Sequence, residues 1–475
     1  EKDYTKDSWK QLVEALTQAK EVSAKEDATK EEINEAIFNL EKTMNALKKV
    51  DSSTKDDNTS KGNTSSKDNQ VITSTTKNDK KQSSTAKTGD ETNIILFVLM
   101  AFMSWLGIKK VKKDMAIIVS EKPCVASGCF TTNVVKAAPV KWDQQVVKSG
   151  AKAQAVVVNS GIANACTGAE GFGYCKDTAD AAAKALNIST DGVLIGSTGV
   201  IGKQIPIDKL TAGIKVLAGK KNDTLENGTE AAKAIMTTDT YEKELAVEIE
   251  VGGKTVTIGG MAKGSGMIHP NMGTMLGFIM TDAAISKNLL DKALKGSIED
   301  TFNMVSVDGD TSTNDTVLVM ANGMAGNPEI TEENEDYEAF KEALLAVNTY
   351  LAKQIAGDGE GASRLFEVQV KHAKDKQTAK VLAKSIITSN LTKCAIFGKD
   401  ANWGRILCAM GYSGAQFDPL KVDIVMASEK GEIALVENGV ATAFDEEKAA
   451  EILSLDVVIA KVDVRDGDAE ATAWG

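Results

Sequence analysis

The chain has 475 residues and a formal net charge of −12, with an isoelectric point near 5.0. This negative charge argues against nucleic acid as a partner, because a phosphate backbone would be repelled. The length allows about two to four domains. Aromatic residues make up 5% of the chain and glycine contributes 39 residues, which favours a compact α/β protein with many tight turns over a β-sandwich or a coiled coil.

Cysteine and histidine are sparse, which limits the chemistry. The six cysteines form no C-x-x-C pair and are predicted to be buried thiols in a reducing compartment. The two histidines, His269 and His372, offer few ligands for zinc, so we predict no metal. A Ser-His-Asp triad would need one of them, but His372 lies in a polar stretch and a loop histidine such as His269 is more often structural. Activation of a nucleophile without histidine is the more economical interpretation.

Residues 1–113 differ from the rest in composition. Residues 1–50 carry apolar side chains at the helical period and predict a helical pair. Residues 51–93 are rich in Ser, Thr, Lys, Asp and Asn, cannot bury a core, and are predicted to be a disordered linker. Residues 94–113 form a hydrophobic segment with a basic stop, which is short for an independent membrane span.

The segment Lys87-Thr-Gly-Asp90, with the apolar and basic run that follows, resembles a Gram-positive cell-wall sorting tail. It departs from that motif because Thr85-Ala86 stands where Leu-Pro is expected. The helical opening resembles a FIVAR-type module of such surface proteins. An amphipathic helix with basic flanks is the alternative interpretation of residues 94–113. Residues 1–113 alone would indicate the cell wall or surface, and a surface binding module driven by residues 1–106 stays open.

From residue 114 onward, short apolar runs alternate with amphipathic or Ala-rich segments. The pair Gly252-Gly253 between two such runs predicts a hairpin turn. The alternation predicts an α/β fold with mixed sheets. In chain order, we predict strands at 116–119 and 153–159, a helix at 177–186, a strand at 193–195, helices at 206–219 and 226–236, and strands at 244–251 and 255–258.

Thr274 follows Gly273 at the end of a Gly/Ser/Pro/Asn loop and precedes an apolar run. A threonine is a good nucleophile when a base lies beside it, and its own α-amino group can be that base once the preceding peptide bond is cut. Gly273 crowds that bond least and tolerates strained dihedral angles. Gly-Thr pairs are common, however, and spacing alone favours a plain loop that enters a buried strand or helix.

Three other places carry groups suited to acyl transfer. Thr198 and Gly199 lie where a strand meets a Gly-rich turn, so backbone N–H groups there can face an oxyanion. Lys263 can bind a substrate carboxylate, and Glu360, between glycines, suits the α-amino group of an amino acid. An ordinary turn, a surface lysine and a solvated glutamate are the corresponding structural alternatives.

Seven segments in a fixed order resemble the ornithine acetyltransferase family (bifunctional ornithine acetyltransferase / N-acetylglutamate synthase) over about residues 107–475. Each segment is modest alone, and the specificity lies in their order. The segments are Phe130-Thr-Thr-Asn133, Asn159-Ser-Gly-Ile-Ala-Asn-Ala-Cys-Thr-Gly168, Ser197-Thr-Gly-Val-Ile-Gly202, Met236-Thr-Thr-Asp239, the loop from Lys263 to Asp282, Asp358-Gly-Glu-Gly-Ala362 and Phe397-Gly-Lys-Asp-Ala-Asn-Trp-Gly-Arg405.

The resemblance implies a mixed-sheet α/β acyltransferase that cleaves itself between Gly273 and Thr274. An α-chain region, 114–273, and a β-chain region, 274–475, would stay associated, two of each in the assembled enzyme. The implied roles are Thr274 as nucleophile and substrate contact, Thr198 and Gly199 as oxyanion hole, and Thr237 (or its neighbour Thr238), Lys263 and Glu360 in substrate binding.

The implied reaction moves an acetyl group from N2-acetyl-L-ornithine to the threonine and then to L-glutamate, in cytoplasmic arginine biosynthesis and without a cofactor. Family members differ in whether acetyl-CoA also donates acetyl groups, and no residue here decides this. The alternative enzyme is a self-processing aminopeptidase or amidase with water as acceptor. We also expect an artificial or erroneous junction near residues 107–115, and clipped enzyme ends that lack the family's first segment and closing, substrate-binding strand.

Overall fold

The computed structural model describes residues 5–23, 25, 39, 42–43, 113–269 and 275–475. The chain divides into two compact units, Glu1–Lys112 and Lys113–Gly475. In the first unit, helix α1 (Lys6–Ser23) buries Leu12 and Ala15. The predicted second helix lies outside the described residues, apart from three helical positions, and so does the predicted linker.

Within the described parts of the chain, no helix combines the length and apolar character needed to cross a membrane. The predicted hydrophobic segment, residues 94–112, lies outside them.

The second unit contains two mixed β-sheets. The first sheet has seven strands in the order β3-β2-β1-β7-β6-β5-β4, with the pairs β2/β3 and β6/β7 parallel and the others antiparallel. Its strands are β1 (Met115–Phe130), β2 (Ala153–Ile162), β3 (Val193–Val200), β4 (Lys243–Val251), β5 (Lys254–Lys263), β6 (Leu276–Thr281) and β7 (Thr316–Ala321).

The second sheet has six strands in the order β11-β10-β9-β12-β8-β13, of which only β8 and β12 are parallel neighbours. Its strands are β8 (Leu365–Ala373), β9 (Asp423–Ser428), β10 (Gly431–Glu437), β11 (Val440–Ala441), β12 (Val457–Asp463) and β13 (Ala469–Trp474). The predicted α/β fold with mixed sheets is confirmed.

The described part of the second unit also contains ten α-helices. They are α2 (Ala138–Ser149), α3 (Gly168–Leu186), α4 (Ile207–Ala218), α5 (Leu225–Ile235), α6 (Lys287–Asp300), α7 (Glu335–Gly357), α8 (Lys376–Thr388), α9 (Asn390–Gly398), α10 (Trp403–Gly411) and α11 (Glu446–Ile452). The main core cluster joins apolar residues of both sheets with α6, α7 and α8.

Strands β4 and β5 form the predicted hairpin. Gly252 and Gly253 occupy its turn with φ of 56° and 72°, which glycine adopts at little steric cost. Strand β6 lies inside the sheet, parallel to β7 and antiparallel to β5. An inner strand covered on both faces is apolar along its length, as the buried run from Leu276 to Ile279 shows.

Helix α7 packs on β4 and β5 and carries the chain toward the end of β5. Asn334 begins the helix by accepting a hydrogen bond from the Tyr337 N–H, a favourable N-cap. Phe340, Leu344 and Leu351 belong to its buried face at helical spacing. The helix ends at Gly357, so Asp358 and the residues after it lie in a tight turn beside β5.

Candidate active site

The predicted nucleophile and cleavage bond, Gly273 and Thr274, belong to residues 270–274, which lie outside the described residues. The strands on either side of this segment are described. Lys263, the last residue of β5, is paired with Leu276, the first residue of β6. The ladder therefore places Lys263 opposite a residue only two positions after Thr274.

Lys263 is buried, which excludes the alternative of a solvated surface lysine. Its side chain is 7% exposed, and its Nζ lies 3.8 Å from Asp239 Oδ2. Burial favours the neutral form of Asp239, but the charges of Lys263 and Lys243 together with the hydrogen bonds from Thr237 and Lys243 outweigh burial and hold the pKa of this carboxyl below its usual value. Asp239 therefore stays ionised next to the predicted substrate-binding lysine.

Lys243, at the start of β4, joins two buried carboxylates. Its Nζ donates to Asp239 Oδ1 at 2.9 Å and to Asp358 Oδ2 at 2.6 Å. Asp358 also accepts hydrogen bonds from the backbone N–H (3.0 Å) and the hydroxyl of Thr240. Burying charged groups costs free energy because they lose their hydration. Short charge-assisted hydrogen bonds of this kind offset that cost.

Thr237 follows α5 and is half-buried, whereas Thr238 is exposed. The Thr237 N–H donates to Asp239 Oδ2 at 3.0 Å, and the Gly264 N–H donates to Asp239 Oδ1 at 2.6 Å. One carboxylate therefore ties the end of α5 to the end of β5. It brings Thr237 and Lys263, both predicted to bind substrate, to the same place.

Glu360 is exposed and is attached to the same place through the backbone. Its N–H donates to the Ser265 carbonyl at 2.9 Å, and the Ser265 hydroxyl donates to the Asp358 carbonyl at 2.7 Å. A Cβ on Gly266 would lie 2.4 Å from Glu360 Cδ, so the carboxyl end of the Glu360 side chain packs against Gly266. The structure thus brings Glu360 next to the chain that carries Lys263.

A cavity of about 300 Å³ adjoins Glu360. This volume lies at the small end of the range for small-molecule sites. Burial lowers the pKa of Lys393, which donates to the Ser306 carbonyl at 3.0 Å. Charged and apolar side chains share the lining, among them Val307, Arg364, Phe366, Lys393 and Phe397.

Thr198 and Gly199 lie near the end of β3, where β2 and β3 change register. Gly199 has φ of 126°, and a Cβ there would lie 2.2 Å from the carbonyl carbon of Gly161. Only glycine fits this close approach of two backbones. Thr198 is partly exposed and Gly199 is exposed, so the strand end is accessible.

Asn314 links this strand end to the start of β7, a contact that the sequence analysis missed. Its Nδ2 donates to the Ser197 carbonyl at 2.8 Å and to the Ala163 carbonyl at 2.6 Å. Thr316, two residues later, is paired with Leu276. Residues 314–316 therefore contact both Ser197, which precedes Thr198, and Leu276 at the start of β6. The bonds span 117 and 151 residues, which no local pattern indicates.

Asp315 is a second functional candidate that was missed. It is 2% exposed, and its Oδ2 has no hydrogen-bond partner among the described residues. Burial raises its pKa well above the usual range, although the Met275 N–H, the Thr131 hydroxyl and the charge of Lys263 favour ionisation. Asp315 therefore favours its neutral form, and it precedes Thr316, whose N–H donates to the carbonyl of Met275, the residue after Thr274.

Among the histidines and cysteines, Cys394 lines the cavity beside Glu360, and His269 directly precedes residues 270–274. His269 Nδ1 is 2.9 Å from Ser306 Oγ, and His372 Nδ1 is 2.8 Å from Asp463 on the surface. All six cysteines are free, but the prediction that they are buried is wrong for Cys166, Cys394 and Cys408, which are exposed. In the described part of the chain, no group of three or more His, Cys, Asp or Glu side chains could hold a metal ion.

The fold and the site define a class of protein: a mixed-sheet α/β unit in which two buried carboxylates and two buried lysines gather at the ends of β5, α5 and α7. The ArgJ family model matches residues 100–475, and the FIVAR domain model matches residues 1–48. The chain belongs to the ArgJ family.

Several individual proteins are similar to this chain. The arginine biosynthesis bifunctional protein ArgJ of Caldanaerobacter subterraneus subsp. tengcongensis is 53% identical over 369 residues, which cover 78% of this chain and 91% of the relative. The solved structure of ArgJ from Bacillus halodurans is 45% identical and covers 42% of this chain and 92% of that one, with a TM-score of 0.40. The Mycobacterium tuberculosis ornithine acetyltransferase, solved in complex with ornithine, is 41% identical and covers 33% and 83%, with a TM-score of 0.30.

These matches confirm the predicted family and the predicted enzyme class, an acyltransferase of arginine biosynthesis. They also confirm the FIVAR resemblance of the opening segment. The roles of individual site residues stay predictions.

Proposed function

We propose that residues 113–475 transfer the acetyl group of N2-acetyl-L-ornithine to L-glutamate through an acetyl-threonine intermediate on Thr274. Cleavage between Gly273 and Thr274 frees the α-amino group, which takes the proton of the Thr274 hydroxyl as its oxygen attacks the acetyl carbonyl. Ornithine leaves, and the amine of glutamate takes the acetyl group by the same route. The main support for this proposal is that Thr237, Lys263 and Glu360 lie close together in the structure.

The charges at the site suit an amino-acid substrate. In the proposal, the Lys263 ammonium binds the α-carboxylate of N2-acetylornithine, and the Glu360 carboxylate binds its charged side-chain amine, because the α-nitrogen carries the acetyl group. Thr237 is the threonine that contacts substrate, and its half-buried position beside Asp239 supports it over the exposed Thr238. A site that binds both charged ends of an amino acid orients the acetyl group for attack.

Backbone groups at the end of β3 form the proposed oxyanion hole. Thr198 and Gly199 stabilise the tetrahedral intermediates of both half-reactions. The accessibility of this strand end and its link to the start of β7 through Asn314 support the assignment. Donors held rigidly in this way stabilise developing charge without having to reorganise during the reaction.

The first experiment tests the nucleophile. Purified protein and its T274A variant are compared by denaturing gel, intact mass and N-terminal sequencing. We expect two fragments with a new N-terminus at Thr274 in the wild type and one uncut chain in T274A. An uncut wild type, or cleavage at another bond, would contradict the proposal.

The second experiment identifies the acceptor. Acetylornithine is supplied with and without glutamate, and the products are quantified. Acetylglutamate formation with ping-pong kinetics supports transfer, whereas free acetate without glutamate would indicate the aminopeptidase or amidase alternative. Intersecting double-reciprocal lines would contradict a covalent intermediate. Acetyl-CoA in place of acetylornithine tests the second donor.

We also propose that residues 114–273 and 274–475 remain together as α and β chains, two of each per assembly, and that the enzyme works in the cytoplasm. The FIVAR match at residues 1–48 supports a second role for residues 1–113, association with the cell surface. Cell fractionation with antibodies against each part distinguishes these locations. Cell-wall linkage at Thr88 would favour the surface role, and recovery of the whole chain in the cytosol would exclude it.

A further inference from the structure

Strands β3 and β6 contact each other although they are not neighbours in the first sheet. In the strand order of that sheet, β2, β1 and β7 lie between them. A Cβ on Gly196 of β3 would lie 2.7 Å from Cζ of Phe278 on β6, so the Phe278 ring packs directly against this glycine. The strand that ends in the proposed oxyanion hole therefore lies against the strand that follows the proposed nucleophile.

Asn314, just before β7, adds hydrogen bonds at the same place. Its Nδ2 donates to the Ser197 carbonyl at 2.8 Å and to the Ala163 carbonyl at 2.6 Å. Its Oδ1 accepts a hydrogen bond from the Thr313 hydroxyl at 2.7 Å, which fixes the orientation of the amide. The Asn314 side chain is buried, so water does not compete for these bonds. The amide therefore ties together the backbone at the ends of β2 and β3.

The bond from Asn314 to Ser197 fixes the peptide that leads into Thr198. A peptide unit is planar, so holding the Ser197 carbonyl also holds the direction of the Thr198 N–H. The Ser197 hydroxyl donates to Asn159 Oδ1 at 2.7 Å, and Asn159 Nδ2 donates to the Ile162 carbonyl at 2.8 Å. Buried polar networks whose members are hydrogen-bonded in this way hold one arrangement of the backbone.

Asn314 also belongs to the chain that pairs with the strand after the proposed nucleophile. Thr316, two residues later, donates its N–H to the Met275 carbonyl at 3.0 Å. Asn314 therefore lies between two backbone attachments, one to the peptide before Thr198 and one to the residue after Thr274. A shift of Asn314 would change the position of the proposed oxyanion hole relative to the proposed nucleophile.

We propose that Asn314 is a positioning residue for acetyl transfer, which holds the oxyanion hole at a fixed distance from the nucleophile. The inference rests on the proposed function, in which Thr198 and Gly199 stabilise the oxyanion and Thr274 is the nucleophile. Without the amide, the end of β3 loses this attachment, and the oxyanion donors no longer meet the tetrahedral intermediate at hydrogen-bond distance. The proposed substrate-binding residues lie on other elements, so the effect falls on kcat rather than on KM.

N314L removes the amide but keeps the branching and the number of side-chain heavy atoms. N327L is the matched control, because Asn327, beyond the other end of β6, is equally buried (6% against 7% exposed) and its Nδ2 also donates to two backbone carbonyls, those of Ala284 and Pro328. Both variants should lose stability, since each removes a buried amide with its hydrogen bonds. We expect N314L to lower kcat at least about tenfold with the KM for acetylornithine within about threefold of the wild type, and N327L to keep both within about threefold.

Melting temperature and the fraction of cleaved chain are measured for each variant, and kcat is expressed per cleaved chain. N314S and N327S repeat the comparison if a leucine variant does not fold. Serine keeps a hydroxyl donor, so N314S is expected to lower kcat less than N314L but at least about threefold relative to N327S. A folded N314L chain that stays uncut while N327L is cleaved also supports the inference, because cleavage needs a correctly placed nucleophile.

Two results would overturn the inference. One is an equal kcat in the position-314 and position-327 variants. The other is a kcat that follows melting temperature across the whole set. Either result shows that Asn314 is structural and does not position the oxyanion hole.

The proposed function fails separately from this inference. Its failure would appear in the wild type, as absent cleavage or absent acetyl transfer. If the wild type cleaves itself and transfers acetyl groups while N314L keeps the kcat of N327L, only the role of Asn314 is overturned.

Discussion

At the scale of single residues, the partners of a buried carboxylate decide whether it keeps its charge. Asp239 is buried but has two lysines and two backbone N–H groups around it, so its pKa is lowered. Asp143 on α2 is buried with one N–H donor, that of Ile195 at 2.8 Å, and its Oδ2 has no partner among the described residues. Burial therefore raises the pKa of Asp143 well above the usual value.

Asp143 predicts a pH dependence of stability. The folded state holds a proton that the unfolded state releases above its ordinary carboxyl pKa. The contribution of Asp143 is thus complete below that pKa and is lost as pH rises toward the folded pKa. Relative to wild type, D143N should flatten the loss of stability that begins above the ordinary carboxyl pKa, by up to about 1.4 kcal/mol per pH unit.

This prediction is measured by denaturant unfolding at several pH values in the uncut T274A background. D177N, which changes an exposed aspartate on α3, is the control and should leave the slope unchanged. Equal slopes for D143N and its parent would show that Asp143 does not retain its proton on folding.

At the scale of elements, the sequence predicted the positions of several strands and of one turn, but not where each strand ends. The predicted runs at 244–251 and 255–258 are β4 and β5, joined at the predicted glycine turn. The run at 193–195 continues to Val200 as β3. The added residues pair with the end of β2. At this end the backbones of Gly161 and Gly199 lie so close together that Gly199 has no room for a side chain.

Gly199 offers a test of the proposed oxyanion hole. G199A should lower kcat by about a hundredfold or more, since the new Cβ would displace a backbone donor. The positive φ adds a strain of about 1–3 kcal/mol for a non-glycine residue. G202A is the control, because Gly202 also has positive φ (81°) but no atom within 4 Å of the added Cβ.

Both variants should lose some stability, but only G199A should lose most of its acetyl-transfer rate. The comparison uses kcat for acetylornithine with glutamate and the melting temperature of each variant. A similar kcat in G199A and G202A would remove Gly199 from the proposed oxyanion hole.

At the scale of the whole molecule, the first sheet contains strands from both sides of the predicted cleavage bond. Strands β1 to β5 precede residue 274, whereas β6 and β7 follow it. The β5/β6 and β1/β7 ladders therefore connect the two predicted chains by backbone hydrogen bonds inside a packed core. Cleavage of the Gly273–Thr274 bond would break none of the hydrogen bonds of these ladders.

We therefore expect the two fragments of the cleaved protein to co-elute in native gel filtration and to separate only in denaturant. Uncut T274A protein should elute at the same volume as the cleaved wild type, since the ladders fix the shape in both. Separate elution of the fragments without denaturant would show that the shared sheet does not hold them together.

The sequence by itself determined the family, the enzyme class and the positions of the site segments, because ordered motifs and local apolar patterns are properties of the chain. It also marked Lys263 and Glu360 as candidates. Only the tertiary structure decided how their charges are balanced. The ion pair between Lys243 and Asp358 joins residues 115 positions apart, and its burial strengthens the attraction between the two charges. A local sequence pattern predicts neither the proximity of these residues nor their burial.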